Sequence, residues 1–203
     1  MPFYSQFGED QYLSTMFPPD TIGTCVEVGA YDGVGGSNTY HFEQKGWRTL
    51  CIEPNPVAYE KCRQIRAQTV QCCVGATDAE DVPFHVYHLQ GNNESAISSL
   101  EPDARLVESH AHLIEKTSTI RVRVRTLTDI LQESGMPTTI DFISIDTENT
   151  ELDVLKGLDF SMYTIKYLVI ENNYNEPYCE TYLAQFGYTK IHRTGVNDIY
   201  KRV

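Results

Sequence analysis

The chain has 203 residues, of which 16 are Lys or Arg and 28 are Asp or Glu, so its formal net charge is −12. This length, with 41% hydrophobic and 22% charged residues, fits one globular domain over residues 1–203. The negative charge would repel the phosphate backbone of DNA or RNA, and no run of the roughly 20 apolar residues that a bilayer requires is present, so we expect no nucleic acid and no membrane as partner.

Short apolar segments rich in β-branched residues alternate with longer mixed segments, a pattern typical of strand-helix-strand units in a mainly parallel sheet. The predicted strands are Thr24–Val28, Arg48–Ile52, Thr69–Val74, Asp141–Ile145 and Ile165–Ile170. The predicted helices are Ser37–Lys45, Pro56–Ala67, Leu127–Ser134, Glu148–Lys156 and Glu176–Phe186. Two short alternating segments, Tyr188–His192 and Asp198–Arg202, should pair as an antiparallel hairpin.

The middle region, residues 82–125, breaks this alternation. It contains a predicted strand Val82–His88, a polar stretch at 90–95, a predicted helix around Arg105–Lys116 and a strand Ile120–Arg125. Arg alternates with apolar residues in the last segment, which indicates the solvated face of an edge strand. We interpret the region as an elaboration that covers the substrate side of the sheet.

The cysteines and the first residues of the chain indicate the cellular compartment of the protein. Cys25, Cys51, Cys72 and Cys73 fall in predicted strands, no Cys-x-x-Cys pair occurs, and the opening residues lack the pattern of a secretory signal. Buried cysteines without a zinc or redox motif favour a reducing compartment. We therefore expect a cytoplasmic protein.

Residues 26–39 are predicted to form a strand that leads into a glycine-rich turn and then a helix, which lets a ligand approach the backbone closely. A dinucleotide site needs Gly-x-Gly-x-x-Gly, and counting from Gly29 the second glycine position is Tyr31. Bulk at Tyr31 and the carboxylate of Asp32 would oppose a diphosphate, whereas the cationic groups of S-adenosylmethionine would be attracted by Glu27 and Asp32. The turn favours S-adenosylmethionine, although a shifted frame of the glycines keeps a dinucleotide open.

The ends of the next two strands carry further acids. Glu53 follows the second strand, 20 residues beyond Gly33, where an acid accepts hydrogen bonds from ribose hydroxyls in nucleoside cofactors. Glu53 also fits a capping acid ahead of a helix that starts with Pro56. Asp78 follows a turn of small residues after the third strand and is a candidate acceptor for the adenine amino group.

Four segments occur in order along the chain: YSQFGED at 4–10, EVGAYDG at 27–33, EPNP at 53–56 and DFISIDTE at 141–148. By these segments the chain resembles the FkbM-type methyltransferases. The resemblance implies a class I, Rossmann-like α/β fold, with a mostly parallel seven-stranded sheet, helices on both faces and a C-terminal antiparallel hairpin. It also implies S-adenosylmethionine as methyl donor, and a Gln6 that reaches back to this cofactor. Family members commonly have Gly where this chain has Asn149, a residue that tolerates a left-handed backbone.

The predicted cofactor site therefore draws on the opening segment, the first turn, the helix that follows and two strand ends. Its residues are Gln6, Glu27, Gly29, Ala30, Asp32, Gly33, Asn38, Glu53 and Asp78.

Acidic side chains follow the fourth and fifth predicted strands, at the edge where open α/β sheets bind ligands. A hydroxyl acceptor must lose a proton during methyl transfer, so Asp146, Glu148 and Glu171 are the predicted catalytic residues. His110 and His112 are alternative bases if the middle region covers the cofactor.

Two interpretations stay open for these strand ends. In the first, Asp146, Glu171 and Asn172 bind one Mg²⁺, an arrangement similar to that of catechol-type O-methyltransferases, and the ion lowers the pKa of the acceptor hydroxyl. In the second, no metal is present, and Glu171 and Asn172 cap the helix that begins near Glu176 or contact the acceptor.

The resemblance also implies a sugar or related hydroxyl as methyl acceptor. The expected function is therefore methylation, by S-adenosylmethionine, of a hydroxyl on a sugar, glycan or related small molecule, by a monomer or homodimer. Two other classes remain: a nicotinamide-dependent oxidoreductase and a non-catalytic module that binds a nucleoside ligand. Tyr31 disfavours the first. The accumulated acids disfavour the second, because their repulsion would cost stability without a ligand.

Overall fold

The computed structural model of the chain describes residues 1–90 and 97–203. The strands are β1 (Thr24–Val28), β2 (Arg48–Ile52), β3 (Thr69–Val70), β4 (Cys73–Val74), β5 (Ala79–Leu89), β6 (Ile114–Arg125), β7 (Thr139–Ile145), β8 (Thr164–Glu171), β9 (Tyr188–Thr194) and β10 (Asn197–Arg202). The helices are α1 (Glu9–Ser14), α2 (Tyr40–Gln44), α3 (Pro56–Ile65), α4 (Ala104–His110), α5 (Leu127–Glu133), α6 (Glu151–Lys156) and α7 (Tyr178–Ala184). Of the predicted polar stretch 90–95, all but Gln90 lies outside the described residues.

Seven strands form the main sheet, in the order β3-β2-β1-β7-β8-β10-β9. Neighbours from β3 to β8 pair in parallel, and β10 pairs antiparallel with both β8 and β9. The predicted α/β fold with a mostly parallel sheet and a C-terminal hairpin is therefore confirmed. β1 and β2 begin and end where predicted, because a short segment of mainly apolar and β-branched residues is typical of a strand buried on both faces.

Helices cover both faces of the main sheet. On one face, α5, α6 and α7 bury Leu131, Leu155 and Leu183 against the strands. On the other, α1 and α2 bury Leu13 and Phe42. A mainly parallel sheet requires helices on both faces. The faces are therefore covered, and the ends of the strands are where a ligand can reach the sheet.

The predicted strand Thr69–Val74 is in fact two strands that belong to different sheets. β3 pairs with β2 in the main sheet, whereas β4 pairs in parallel with β6 in a second sheet of order β4-β6-β5. The apolar run continues across the change of sheet, so composition and periodicity give no sign of it.

The predicted helix around Arg105–Lys116 was too long, because β6 already includes its last residues. The prediction of an edge strand was also wrong: β6 is the middle strand of the second sheet. Arg121 and Arg123 do lie on a solvated face, with side chains 62% and 51% exposed. Alternation thus indicates which face of a strand meets water, but not how many neighbours the strand has. Within the described ranges, we find no helix with the length and apolar character needed to cross a bilayer.

Candidate active site

The main cavity, of about 330 Å³, lies where β1 separates β2 from β7. The strand order reverses at β1, and ligands of open α/β sheets bind at such a point, beyond the carboxyl ends of the strands. Six predicted cofactor residues and the three predicted catalytic residues line the cavity, namely Gln6, Glu27, Gly29, Ala30, Asn38, Glu53, Asp146, Glu148 and Glu171.

The turn after β1 requires its first glycine. Gly29 has φ +83°, and a Cβ there would lie 1.7 Å from the backbone oxygen of Asp146. The backbone N–H groups of Gly29 and Ala30 both donate to the oxygen of Ile52, at 3.0 Å. The turn is therefore held against the ends of β2 and β7, with its backbone facing the cavity.

The carboxylate of Glu27 holds the loop that follows this turn. It accepts hydrogen bonds from the Ser37 and Thr39 hydroxyls and from the Asn38 N–H, each at 2.7 Å, and from Arg66 Nη1 at 3.1 Å. The Arg66 side chain is fully buried. Glu27 is thus neutralised by a buried guanidinium, which fixes the wall of the cavity rather than offering a free charge to a ligand.

Three predicted cofactor residues are not among the described residues that line the cavity. Asp32 accepts from the N–H groups of the two residues at 34 and 35, at 2.9 and 2.8 Å. Gly33 faces Arg66 instead of the cavity. Asp78 accepts from Arg125 Nε at 3.1 Å and from the Thr126 N–H at 2.8 Å. Local hydrogen-bond partners thus occupy the carboxylates of Asp32 and Asp78.

Glu53 lies at the cavity with its carboxylate buried. One oxygen accepts from the Tyr31 N–H at 2.7 Å and the other from the Asn55 N–H at 2.8 Å. Burial raises the pKa of Glu53 to about 7, although these two N–H groups oppose the shift. Each carboxylate oxygen has two lone pairs, so both retain capacity for a further donor such as a ribose hydroxyl.

The opening segment lies across the glycine-rich loop. Ser5 forms a parallel bridge with Gly36, and the Thr194 hydroxyl donates to the backbone oxygen of Phe7 at 2.6 Å. These contacts bring Gln6 and Phe7 to the cavity. The resemblance implied the place of Gln6, whereas Phe7 was missed.

Asn38, 7% exposed, donates through Nδ2 to the Ser144 hydroxyl at 2.9 Å. Its Oδ1 has no hydrogen-bond partner among the described residues. A buried amide oxygen left unpaired is costly, and Asn38 lines the cavity, so a ligand donor would satisfy it.

Asp146, Glu148 and Glu171, here called the carboxylate cluster, meet at the ends of β7 and β8. One oxygen from each lies within 4.8 Å of the other two. Burial raises the pKa of Asp146 to about 7, helped by the charge of Glu151, and raises the pKa values of Glu148 and Glu171 well above the ordinary value. Glu148, 8% exposed, has an Oε2 without a hydrogen-bond partner among the described residues.

The turn that carries Glu148 has a left-handed backbone. Glu148 has φ +57° and Asn149 has φ +89°. Glu151 Oε1 accepts from the N–H groups of Thr147 and Asn149, at 3.0 and 3.1 Å. The conformation expected for Asn149 is therefore present without glycine.

Asn172 does not join the carboxylate cluster. Its Oδ1 accepts from the Glu176 N–H at 2.8 Å, and its Nδ2 donates to the backbone oxygen of Glu176 and to Asp198 Oδ2. It lines a second cavity of about 80 Å³ beside the main one. The amide is occupied by the turn before α7 and does not cap the helix, because Pro177 is the N-cap and makes no side-chain capping hydrogen bond among the described residues. The residue that accompanies Asp146 and Glu171 is Glu148.

The second sheet and α4 supply an apolar wall. Phe84, Leu100, Leu106 and His110 line the main cavity, whereas the alternative base His112 is exposed and is not among the described lining residues. Sequence reasoning placed the middle region on the substrate side but identified none of the apolar residues. They are far apart in sequence, and no local pattern relates them.

The fold and the cavity together define the class. The order of the seven strands, with the antiparallel β10 inserted before the last, and a ligand cavity at the end of β1 are those of a class I methyltransferase fold. Residues 27–190 match the sequence model of the methyltransferase FkbM domain. The chain belongs to the FkbM methyltransferase domain family.

Individual proteins agree with this assignment. The chain is 26% identical over 155 residues to "Methyltransferase 1" of Beauveria bassiana (strain ARSEF 2860), a match covering 70% of this chain and 60% of that protein. The crystal structure of methyltransferase FkbM from Methylobacillus flagellatus KT superposes with TM-score 0.57 at 15% identity, covering 98% of this chain and 48% of that one. The METTL16 methyltransferase domain gives 0.50 at 11% identity, covering 95% and 65%. At such identities the two structures share the fold, and the chain spans about half to two thirds of the length of these relatives.

Proposed function

We propose that the protein binds S-adenosylmethionine in the main cavity and transfers its methyl group to a hydroxyl of a sugar, glycan or related small molecule. The observation that carries the proposal is the charge of the cavity. Its described lining residues include five carboxylates and no Lys or Arg. A diphosphate would find no Lys or Arg among these residues, whereas the four carboxylates other than Glu27, which Arg66 already pairs, would attract a sulfonium and an ammonium group.

The residues around the glycine turn would hold the nucleoside part of this cofactor. Glu53 would accept hydrogen bonds from the ribose hydroxyls, and the unpaired Oδ1 of Asn38 would accept from the ligand. Gln6 from the opening segment, and Gly29 and Ala30 from the turn after β1, would form the other walls of this cofactor site. The N–H groups of Tyr31 and Asn55, which donate to Glu53, fix the orientation of its carboxylate before a ligand arrives. This lowers the entropic cost of binding.

In the proposed reaction the acceptor oxygen attacks the methyl carbon as the carbon-sulfur bond breaks, and the sulfur keeps the electron pair. The hydroxyl proton passes to a carboxylate of the cluster. A base works best when its pKa is near the working pH, and burial raises the pKa of Asp146 to about 7. A second proposal for this step is that the carboxylates of the cluster hold Mg²⁺, which would lower the pKa of the acceptor hydroxyl, in place of accepting its proton directly.

We place the acceptor between the carboxylate cluster and the apolar wall from residues 82–125. Phe84 and Leu106 offer the apolar surface, and His110 and Ser98 add polar atoms at the same wall. On this proposal the second sheet is part of a single domain over residues 1–203.

The test is transfer of a labelled methyl group from S-adenosylmethionine to fractions of a metabolite and glycan extract. Label in a neutral, periodate-sensitive carbohydrate fraction is the expected result. Label only in protein or RNA would contradict the proposed acceptor class. Binding of S-adenosylhomocysteine with no label in any fraction would favour the non-catalytic module.

A further inference from the structure

We propose that Asp146, Glu148 and Glu171 form a binding site for one hard divalent cation, in which Glu148 provides the ligand that the sequence assigned to Asn172. The three oxygens lie within 4.8 Å of one another. Two oxygens on opposite sides of an ion lie about 4–5 Å apart, because magnesium and calcium keep oxygen at roughly 2.0–2.6 Å. The three ligand atoms therefore fit within one coordination sphere.

The unpaired oxygen of Glu148 is an independent observation. Glu148 is more than nine-tenths buried, lines the main cavity and the second cavity, and has no partner for Oε2 among the described residues. Native structures rarely leave a buried carboxylate oxygen without a partner. A cation between Glu148 and the other two carboxylates would supply it.

Among the described residues that line the two cavities, no Lys or Arg lies beside the carboxylate cluster. Glu151 adds a fourth acid close by. Buried charges are otherwise paired or bound to metal. A metal ion or protons would compensate the charge of the cluster.

Three carboxylates are ligands for a hard cation such as Mg²⁺, Mn²⁺ or Ca²⁺. They would leave about three positions of an octahedral ion for water and for an acceptor oxygen. The role in methyl transfer rests on the proposed function, because the ion would lower the pKa of a bound acceptor hydroxyl. Cation binding itself requires only the cluster.

The experiment is titration of Mn²⁺ into chelator-treated full-length protein, with free Mn²⁺ measured by its electron paramagnetic resonance signal. We expect one bound ion per chain, displaced by Mg²⁺ or Ca²⁺. Glu148→Gln should weaken Mn²⁺ binding about tenfold or more. Glu176→Gln is the matched control, since Glu176 lines only the second cavity and pairs with Arg105 at 3.0 Å; its Mn²⁺ affinity should stay within about twofold.

Glu171→Gln provides a second variant if Glu148→Gln fails to fold, and it should cause a similar loss. No Mn²⁺ binding by the wild type at millimolar concentration would overturn the proposal and leave protons as the partners of the cluster. An equal loss in Glu176→Gln, or a loss confined to Asn172→Ala, would overturn the role of Glu148. Binding of S-adenosylhomocysteine is also measured in the presence of chelator. If this ligand binds while Mn²⁺ does not, the cation site fails and the proposed cofactor site does not.

Discussion

At the level of single residues, Glu53 connects the cofactor proposal to the fold. Its carboxylate receives the N–H of Tyr31 from the glycine turn and the N–H of Asn55 from the start of α3. It therefore orders two backbone segments while facing the cavity. The sequence predicted the ribose role of Glu53 from its place after β2, but these two contacts could not be read from spacing.

We expect Glu53→Gln to weaken the binding of S-adenosylhomocysteine about tenfold, because a hydrogen bond to a charged acceptor contributes roughly 1.5–3 kcal/mol. Isothermal titration calorimetry measures the effect. Glu101→Gln, an exposed acid outside the cavity, is the control and should bind as the wild type does. Unchanged affinity in Glu53→Gln would remove the ribose role.

The raised pKa of Glu53, about 7 instead of 4.5, gives a prediction with a definite sign. The native state holds this proton between pH 4.5 and 7 while the unfolded state has lost it, so the free energy of unfolding falls as pH rises through this window and is level above it. The loss due to Glu53 is at most about 3 kcal/mol. Urea denaturation from pH 4.5 to 8 should show a smaller fall for Glu53→Gln than for the wild type; parallel curves would refute the assignment.

At the level of elements, the turn after β1 depends on close backbone contact. In Gly29→Ala, the new Cβ would meet the Asp146 backbone oxygen and the left-handed φ would be strained, so we expect a loss of roughly 3 kcal/mol or more in unfolding free energy. Gly36→Ala is the control: it has φ +75° but no atom within 4 Å of a Cβ, so about 1 kcal/mol is expected. Equal losses in the two variants would show that the close contact between Gly29 and the end of β7 does not affect stability.

The loop from Gly33 to Thr39 depends on the buried pair of Arg66 and Glu27. Arg66→Met would leave Glu27 buried and uncompensated, at a cost of about 3–5 kcal/mol. Arg63→Met, three residues earlier in α3, breaks only an exposed pair with Glu60, and should cost less than about 1 kcal/mol. Chemical denaturation compares the two; an Arg66 variant as stable as the Arg63 variant would contradict the role given to this network.

At the level of the whole molecule, the sequence predicted those strands and turns that a local residue pattern specifies. Short segments of mainly apolar and β-branched residues located β1 and β2, and turn residues located the final hairpin. Long-range pairing was beyond these patterns. The division of Thr69–Val74 between two sheets depends on where β6 lies, and the wall residues Phe84 and Leu106 reach the cavity from the second sheet and from α4.

The predicted site residues also divide into those that reach the cavity, as their position in the chain predicted, and those that do not. Residues at strand ends, such as Glu53 and Asp146, reach the cavity because parallel strands end at one edge. Asp32 and Asp78 do not, because nearby N–H groups and Arg125 bind their carboxylates. Hydrogen-bond competition of this kind depends on a neighbour's position, which spacing along the chain does not encode.

We propose that the acidic cavity at the end of β1 binds a cationic nucleoside cofactor and not a diphosphate. Calorimetric titration of the full chain with S-adenosylhomocysteine and, in parallel, with NAD⁺ tests it most directly. We predict one site per chain for S-adenosylhomocysteine and no heat of binding for NAD⁺. Binding of NAD⁺ in competition with, or in place of, S-adenosylhomocysteine would contradict the account.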